Sequence, residues 1–277
     1  SVGIIDSFFP NADFFIEPER FDRHMDKLRR NGSNKVDYVS ICSPNYLHDA
    51  HIRMALRNDA DAICEKPLVL NPWNLDGLLE IERETGKKIY NILQLRHHKS
   101  IIDLKKKIDN LPKDRIHDID LTYITSRGKW YHYSWKGDVS KSGGVVTNIG
   151  IHFFDMLGWI FGDVINNSLH QLKPDKASGL LQLKNANVRW HLSIDKNELP
   201  KDAIDNNQTT YRSITVDGEE FEFSGGFTDL HTESYKNILD GNGFGMEDAR
   251  NSIEIAHLIR NQKLTTNPTE SHPFFKK

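Results

Sequence analysis

The sequence predicts an α/β protein in two parts. Residues 1–110 read as a parallel sheet of strand–helix–strand units, short of one such unit at its start; residues 111–277 read as an α+β domain with a large, mostly antiparallel sheet. Three observations predict this. Over residues 36–108, short β-branched apolar runs alternate with amphipathic stretches, the spacing of crossover units in a parallel sheet. After Leu111-Pro112 the runs become apolar–polar alternations, the mark of strands with one wet face. Asp217-Gly218 then separates two strand-like runs, a strong hairpin signal.

Taken in order, Ser1 to Phe9 is a short amphipathic piece ended by Pro10-Asn11, and Ala12 to Phe15 is compatible with a short strand. Phe21, Met25 and Leu28 fall on one face of a 3.6-residue period and predict a helix over 19–30, broken by Asn31-Gly32. Val36 to Ile41 is the first core strand. Pro44 opens a helix to about Asn58, since proline lacks only an N–H that a first turn leaves unpaired. Ala60 to Cys64 is the next strand. Asn71 and Pro72 start a helix that Gly86 closes. Lys88 to Leu95 is a third strand and Ser100 to Ile108 a helix. In the second part Ile119, Leu121 and Tyr123 mark a strand, and Thr147 to Phe161 a helix with Ile149, Phe153, Met156, Leu157 and Ile160 on its apolar face. Strand-like runs follow at 165–172, 179–183, 188–194, 211–216 and 220–223. Helices are expected at 228–239 and 246–260, and an extended tail beyond Leu264.

The bulk properties exclude some classes of function. A net charge of -3 lacks the basic face that nucleic acid demands. No apolar run approaches the roughly 20 residues of a membrane helix. Cys42 and Cys64 both fall at strand ends and read as reduced thiols of a cytoplasmic protein. His97 and His98 have no metal-site spacing, and no metal is expected.

Chemistry-bearing residues gather at strand ends. In a parallel sheet the loops at the carboxyl ends of the strands border the ligand crevice. Ser43, Pro44, Asn45 and His48 occupy one such loop and Glu65-Lys66-Pro67 the next. A dinucleotide-binding sheet also opens with G-x-G-x-x-G at a helix start, and no such motif exists here; between Gly32 and Gly77 there is no glycine. Either no dinucleotide binds, or the chain as given begins after that unit; the second is expected.

Ser43-Pro44-Asn45-x-x-His48, then Glu65-Lys66-Pro67, then Gly143-Gly144 with Gly150-x-His152 occur in one order that resembles the glucose-fructose oxidoreductase/inositol dehydrogenase/MocA family of nicotinamide-dependent sugar dehydrogenases. ICSPNYLHDAHIRMAL, CEKPLVLNPWNL, LQLR, TNIGIHFFDMLGWIFG and YRSITVDGEEFEFSGGFTDLH look like the branch that oxidises UDP-N-acetylglucosaminuronic acid (UDP-GlcNAcA). The resemblance implies a Rossmann-type first domain whose strand and glycine loop lie upstream of Ser1. It implies NAD as cofactor and oxidation of the sugar C3 hydroxyl to a ketone, for nucleotide-sugar and O-antigen biosynthesis, with 2-oxoglutarate a candidate re-oxidant.

By the same resemblance Lys66 stands at the reacting hydroxyl, with a cis peptide before Pro67, and His152 is the proton acceptor. A partly desolvated lysine can also take a proton, so the base stays divided between the two. Asn148 stands where many relatives have Asp; an amide can orient the sugar but cannot take its proton. Pro44, Asn45 and His48, with Ser43 as a lesser candidate, should line the cofactor side, Glu65 should bond the nicotinamide ribose, and Gln94 and Arg96 should face the same crevice. A uronate nucleotide-sugar carries carboxylate and diphosphate, for which Arg127, Lys136 and Arg212 are the cations and Trp130, Tyr131, Trp135 and Tyr211 the walls. Val188, Trp190, Leu192 and Ile194 alternate cleanly, and the resemblance implies that the sheet's other face joins a dimer or tetramer. Two alternatives stand beside this reading: another sugar or inositol dehydrogenase of the family, or a non-catalytic binding or assembly module.

Overall fold

The computed structural model describes residues 8–32, 34–221 and 228–275. Helix α1 (Pro18–Asn31) begins on proline and ends at Gly32 in the left-handed region. It leads into three strands, β1 (Tyr38–Ile41), β2 (Asp61–Cys64) and β3 (Ile89–Asn91). These form one parallel sheet in the order β1-β2-β3, with Tyr38 opposite Asp61 and Ala62 opposite Ile89. Helices α2 (His48–Arg57) and α3 (Pro72–Thr85) make the crossovers.

Boundaries differ where polar side chains intervene. Pro44 opens a 3₁₀ turn at Asn45–Leu47, and the α-helix proper starts at His48. The third strand stops at Asn91, and Gln94–His97 form another 3₁₀ turn before α4 (Lys99–Asp109). Asn71 precedes α3 without capping it, because its side-chain oxygen accepts from Arg260 instead. Ala12 to Phe15 forms no strand; the segment is largely exposed and no neighbouring strand pairs with it.

The second sheet runs β5-β6-β7-β4-β8-β9, from β4 (His117–Thr125), β5 (Val164–Leu172), β6 (Lys176–Leu183), β7 (Ala186–Ser193), β8 (Thr210–Val216) and β9 (Glu219–Glu220). Every pairing is antiparallel except β4 with β7, which is parallel. Asp217 and Gly218 turn the β8–β9 hairpin with positive φ at both positions, as a tight primed turn needs. Of the expected strand at 220–223, Glu220 lies in β9 and residues 222 and 223 lie outside the described residues, as do Gly225-Gly226 and residues 1–7.

Between β4 and β5 run two short helices, α5 (Trp130–Tyr133) and α6 (Val139–Ser142), then a π-helical turn at Val146–Gly150 and α7 (Ile151–Phe161). The stretch Val139–Phe161 is long and apolar enough by length and composition to cross a membrane, although Lys141, Asn148, His152 and Asp155 interrupt it. It is mostly buried as the core helix of this fold. Phe154 meets Trp190 edge to face with ring centroids 5.5 Å apart. A Cβ on Gly150 would lie 2.8 Å from Leu192, so a glycine is needed for helix and sheet to close. Val188, Trp190, Leu192 and Ile194 are therefore spent inside this chain and offer nothing to a partner. On the sheet's other face the tail packs, with Phe274 near His191 and Tyr211, and His272 bonded to Thr122.

After the short helix α8 (Lys201–Asp205) and the β8–β9 hairpin, the last two helices return to the first sheet. They are α9 (Leu230–Leu239) and α10 (Met246–Asn261). Tyr235 on α9 bonds Ser40 of β1. Asn91 N–H donates to Phe244 O at 2.9 Å. Arg250 and Arg260 of α10 reach Asp76 and the Leu70 carbonyl. One continuous apolar core spans both sheets, so the expected division at 110 is crossed by the final helices.

Candidate active site

Strand β2 ends at Cys64, and Glu65-Lys66-Pro67 leaves it with a cis peptide between Lys66 and Pro67. The Lys66 side chain points away from the sheet toward the π-helical turn, where its Nζ donates to the Asn148 carbonyl at 2.9 Å. A π turn is a locally widened, underwound turn that often marks functional sites. Here it precedes α7 directly, and both Asn148 and His152 face one cavity.

That cavity measures about 180 Å³. Lys66, Gln94, Arg127, Asn148, His152 and Arg212 give it polar walls; Leu95, Tyr123, Ile149 and Phe153 complete it. All six polar residues were candidates from the sequence, and they arrive from five separate segments. Four are permanent or potential cations, and no carboxylate is among the lining residues.

The electrostatics follow from burial. Desolvation lowers the Lys66 ammonium to about 8; Glu65 opposes this, while Lys136 and Arg127 add to it. Desolvation also holds His152 well below the usual imidazole range, with Lys66, His231 and Arg212 pushing the same way. At neutral pH the cavity therefore sets a mostly charged amine near a neutral imidazole. The first can donate to an oxygen, and the second can accept a proton.

Several predicted residues lie elsewhere, for clear reasons. His48 is fully buried, and its two ring nitrogens lie 2.7 Å from Pro67 O and 2.8 Å from Ser43 O. It braces the two strand-end loops against each other. Asn45 is buried and donates to Ser142 O, tying the first loop to α6. Arg96 turns away from the crevice: its guanidinium bonds both oxygens of Asp155 in the core and also reaches the partly exposed Asp248 at the core's edge. Tyr211 neighbours Arg212 on a strand, where successive side chains point to opposite faces, so it stacks on Phe274 instead. Tyr131 is buried behind Asn148 rather than lining the cavity. Trp135 and Lys136 lie beside it, with the Lys136 ammonium over the Trp130 and Trp135 rings.

The cofactor side keeps accessible groups. Ser43 is half-buried with its hydroxyl 2.9 Å from His51 Nδ1, and Pro44 is likewise partly open. Glu65 is half-buried and lies 3.1 Å from His231 Nε2. A groove bounded by Phe15, Val39, Ile41, Cys42, Ser43 and His51 runs along the carboxyl end of β1. These groups fit the nicotinamide and ribose of a dinucleotide: a carboxylate for hydroxyls, a hydroxyl, and an apolar wall. Among the described residues there is no glycine-rich loop for the pyrophosphate, and none holds three or more His, Cys, Asp or Glu in a metal-binding group.

Sequence reasoning missed Tyr123, His231 and Tyr235. Tyr123 pairs with Arg212 across β4 and β8, and the guanidinium sits 5.5 Å over its ring. His231 meets a residue 166 positions away, and no local pattern announces that contact.

Comparison with known proteins matches both halves. The model of an oxidoreductase family with an NAD-binding Rossmann fold, GFO_IDH_MocA, covers residues 1–93, and that of its C-terminal alpha/beta domain covers 105–195. D-glucoside 3-dehydrogenase of Escherichia coli is 28% identical over 132 residues, 46% of this chain and 36% of that protein. Inositol 2-dehydrogenase of Rhizobium meliloti is 27% identical over 46% of this chain and 37% of its own length. The match thus spans little more than a third of these relatives. Among solved structures, the WlbA (WbpB) dehydrogenase of Thermus thermophilus in complex with NAD and alpha-ketoglutarate is 50% identical with a TM-score of 0.95, over 99% of this chain and 88% of that one. The same enzyme with NAD and UDP-GlcNAcA gives 49% and 0.94.

Proposed function

The chain belongs to the GFO_IDH_MocA oxidoreductase family, and from that premise we propose that it oxidises the C3 hydroxyl of UDP-GlcNAcA to the 3-keto sugar with NAD. The observation that carries this reading is the convergence of Lys66 and His152 on one cavity that also holds two arginines and no carboxylate. Such a cavity favours an alcohol substrate that bears an anion. A Thermus thermophilus dehydrogenase 49% identical to this chain was crystallised with NAD and UDP-GlcNAcA.

Glu65, Ser43 and Pro44 would hold the nicotinamide–ribose end of NAD. Bound there, NAD supplies the acceptor for the hydride from sugar C3. His152, neutral at physiological pH, takes the hydroxyl proton. Lys66, still mostly protonated, donates to the same oxygen and steadies the negative charge that builds on it. Arg127 and Arg212 hold the uronate. The products are the ketone, NADH and one proton. A 2-oxo acid can enter the same cationic cavity; its carbonyl carbon would take the hydride back and its oxygen a proton, giving the 2-hydroxy acid and regenerating NAD. The Thermus thermophilus dehydrogenase 50% identical to this chain was crystallised with alpha-ketoglutarate.

Turnover is measured on UDP-GlcNAcA, inositol and D-glucose in parallel, with and without 2-oxoglutarate. Activity confined to the uronate supports the reading. Activity confined to uncharged sugars overturns the substrate, and none on any alcohol favours a binding module. The oligomer is proposed as a dimer or tetramer, read by light scattering. The inward sheet face is filled by α7, so only the outer face and its tail remain for a partner.

A further inference from the structure

Asn148 presents three hydrogen-bonding groups to the site, and two are already committed. Its backbone carbonyl accepts from Lys66 Nζ at 2.9 Å. Its amide Nδ2 donates to the Tyr131 phenol oxygen, also at 2.9 Å. The carboxamide oxygen has no bond to the described residues, and Asn148 lines the cavity. Tyr131 itself is 2% exposed and cannot touch a ligand. A free carboxamide shows its oxygen or its N–H with nearly equal ease, because the two ends have almost the same shape. Here the donation from Nδ2 to the phenol oxygen holds the orientation that leaves Oδ1 toward the cavity.

We propose that Tyr131 is a positioning residue: its phenol oxygen takes the Asn148 amide N–H and so turns the carboxamide oxygen into the cavity, as an acceptor for a hydroxyl of the bound sugar next to the reacting carbon. The inference rests on reading the cavity as a site of sugar oxidation. Asn at position 148 gives the site an acceptor without negative charge beside Lys66. A carboxylate here would have no N–H for Tyr131 and would favour the charged forms of both Lys66 and His152. Burial pushes the Tyr131 phenol above its ordinary range, so it stays neutral while the enzyme works.

The test is a double-mutant cycle on the full chain with Tyr131→Phe, Asn148→Ala and the pair, read as KM and kcat for UDP-GlcNAcA across pH. The hydroxyl bond exists in ground and transition states alike, so its loss acts on KM. Tyr131→Phe should raise KM about twofold, since the freed carboxamide then spends about half its time in the acceptor orientation, and Asn148→Ala about tenfold, the worth of one well-placed hydrogen bond. Tyr131→Phe should leave kcat within about twofold and the pH profile unmoved. The double variant should match Asn148→Ala, because Tyr131 acts only through that side chain. A merely structural tyrosine would lower kcat through the active fraction, and its effect would add to that of Asn148→Ala. Either result overturns the proposal. If UDP-GlcNAcA is not oxidised, the substrate reading fails, and the same cycle on inositol judges the pair. The Asn148 side-chain N–H signal in nitrogen-labelled protein gives a readout free of turnover. Its protection from exchange should fall in Tyr131→Phe, and unchanged protection overturns the proposal.

Discussion

Replacing Lys66 by Met should destroy turnover and at the same time make the fold more stable. An unfolded lysine titrates near 10.5, and the folded Lys66 near 8. A tenfold change in proton affinity is about 1.4 kcal/mol, so burying this amine costs the fold about 3 kcal/mol at neutral pH. Methionine keeps the apolar stem and removes the charge. It also gives up the bond to the Asn148 carbonyl, worth about 1 kcal/mol, which leaves a net gain of about 2 kcal/mol. The pH dependence fixes the cause. Between about 8 and 10.5 the unfolded chain still holds a proton that the folded chain has released, so wild-type stability rises with pH across that window. Urea unfolding at pH 7 should favour Lys66→Met by about 2 kcal/mol. At pH 10 the advantage should fall to near zero. A variant less stable than wild type at pH 7, or an advantage unchanged at pH 10, would refute the reasoning. Initial rates should fall by orders of magnitude throughout.

Removing the proposed base, as His152→Ala, should lower kcat by about a hundredfold to ten-thousandfold, and added imidazole should restore part of it; full activity would transfer the base to Lys66. Asp155→Asn leaves Arg96 only the partly exposed Asp248 as a charged partner and should cost about 3 kcal/mol in urea, whereas Arg96→Met with Asp155→Leu should cost far less. His272 is held near 4 by burial, with His191 beside it. An unfolded histidine takes a proton near 6.5, so stability should drop as pH falls from there toward 4. A His272→Asn chain should lose much of that slope in acid unfolding curves.

Much of the scaffold was legible because it rests on local patterns. The short apolar runs at Val36 to Ile41 and Ala60 to Cys64, the Gly86 stop and the Asp217-Gly218 turn each carry their cause in a few adjacent residues. The positions of Lys66 and His152 were legible through ordered short motifs. What escaped depends on partners far along the chain. Arg96 reads as a crevice residue until Asp155 and Asp248 are folded against it, 59 and 152 positions away. Tyr211 and Arg212 look equivalent in a string, and only the strand's register sends one to the cavity and the other to the tail. The π turn at Val146–Gly150 also leaves no mark in the apolar spacing, since Ile149, Phe153, Met156 and Ile160 keep ordinary helical intervals.

The return of α9 and α10 to the first sheet has a consequence for synthesis. β3 waits for Phe244, Ser40 waits for Tyr235, and the start of α3 waits for Arg260. Residues 36–110 therefore lack part of their covering until residues 230–261 have emerged from the ribosome. A nascent chain stalled before residue 230 should expose apolar surface to chaperones, and growth temperature should set how much of it survives that interval.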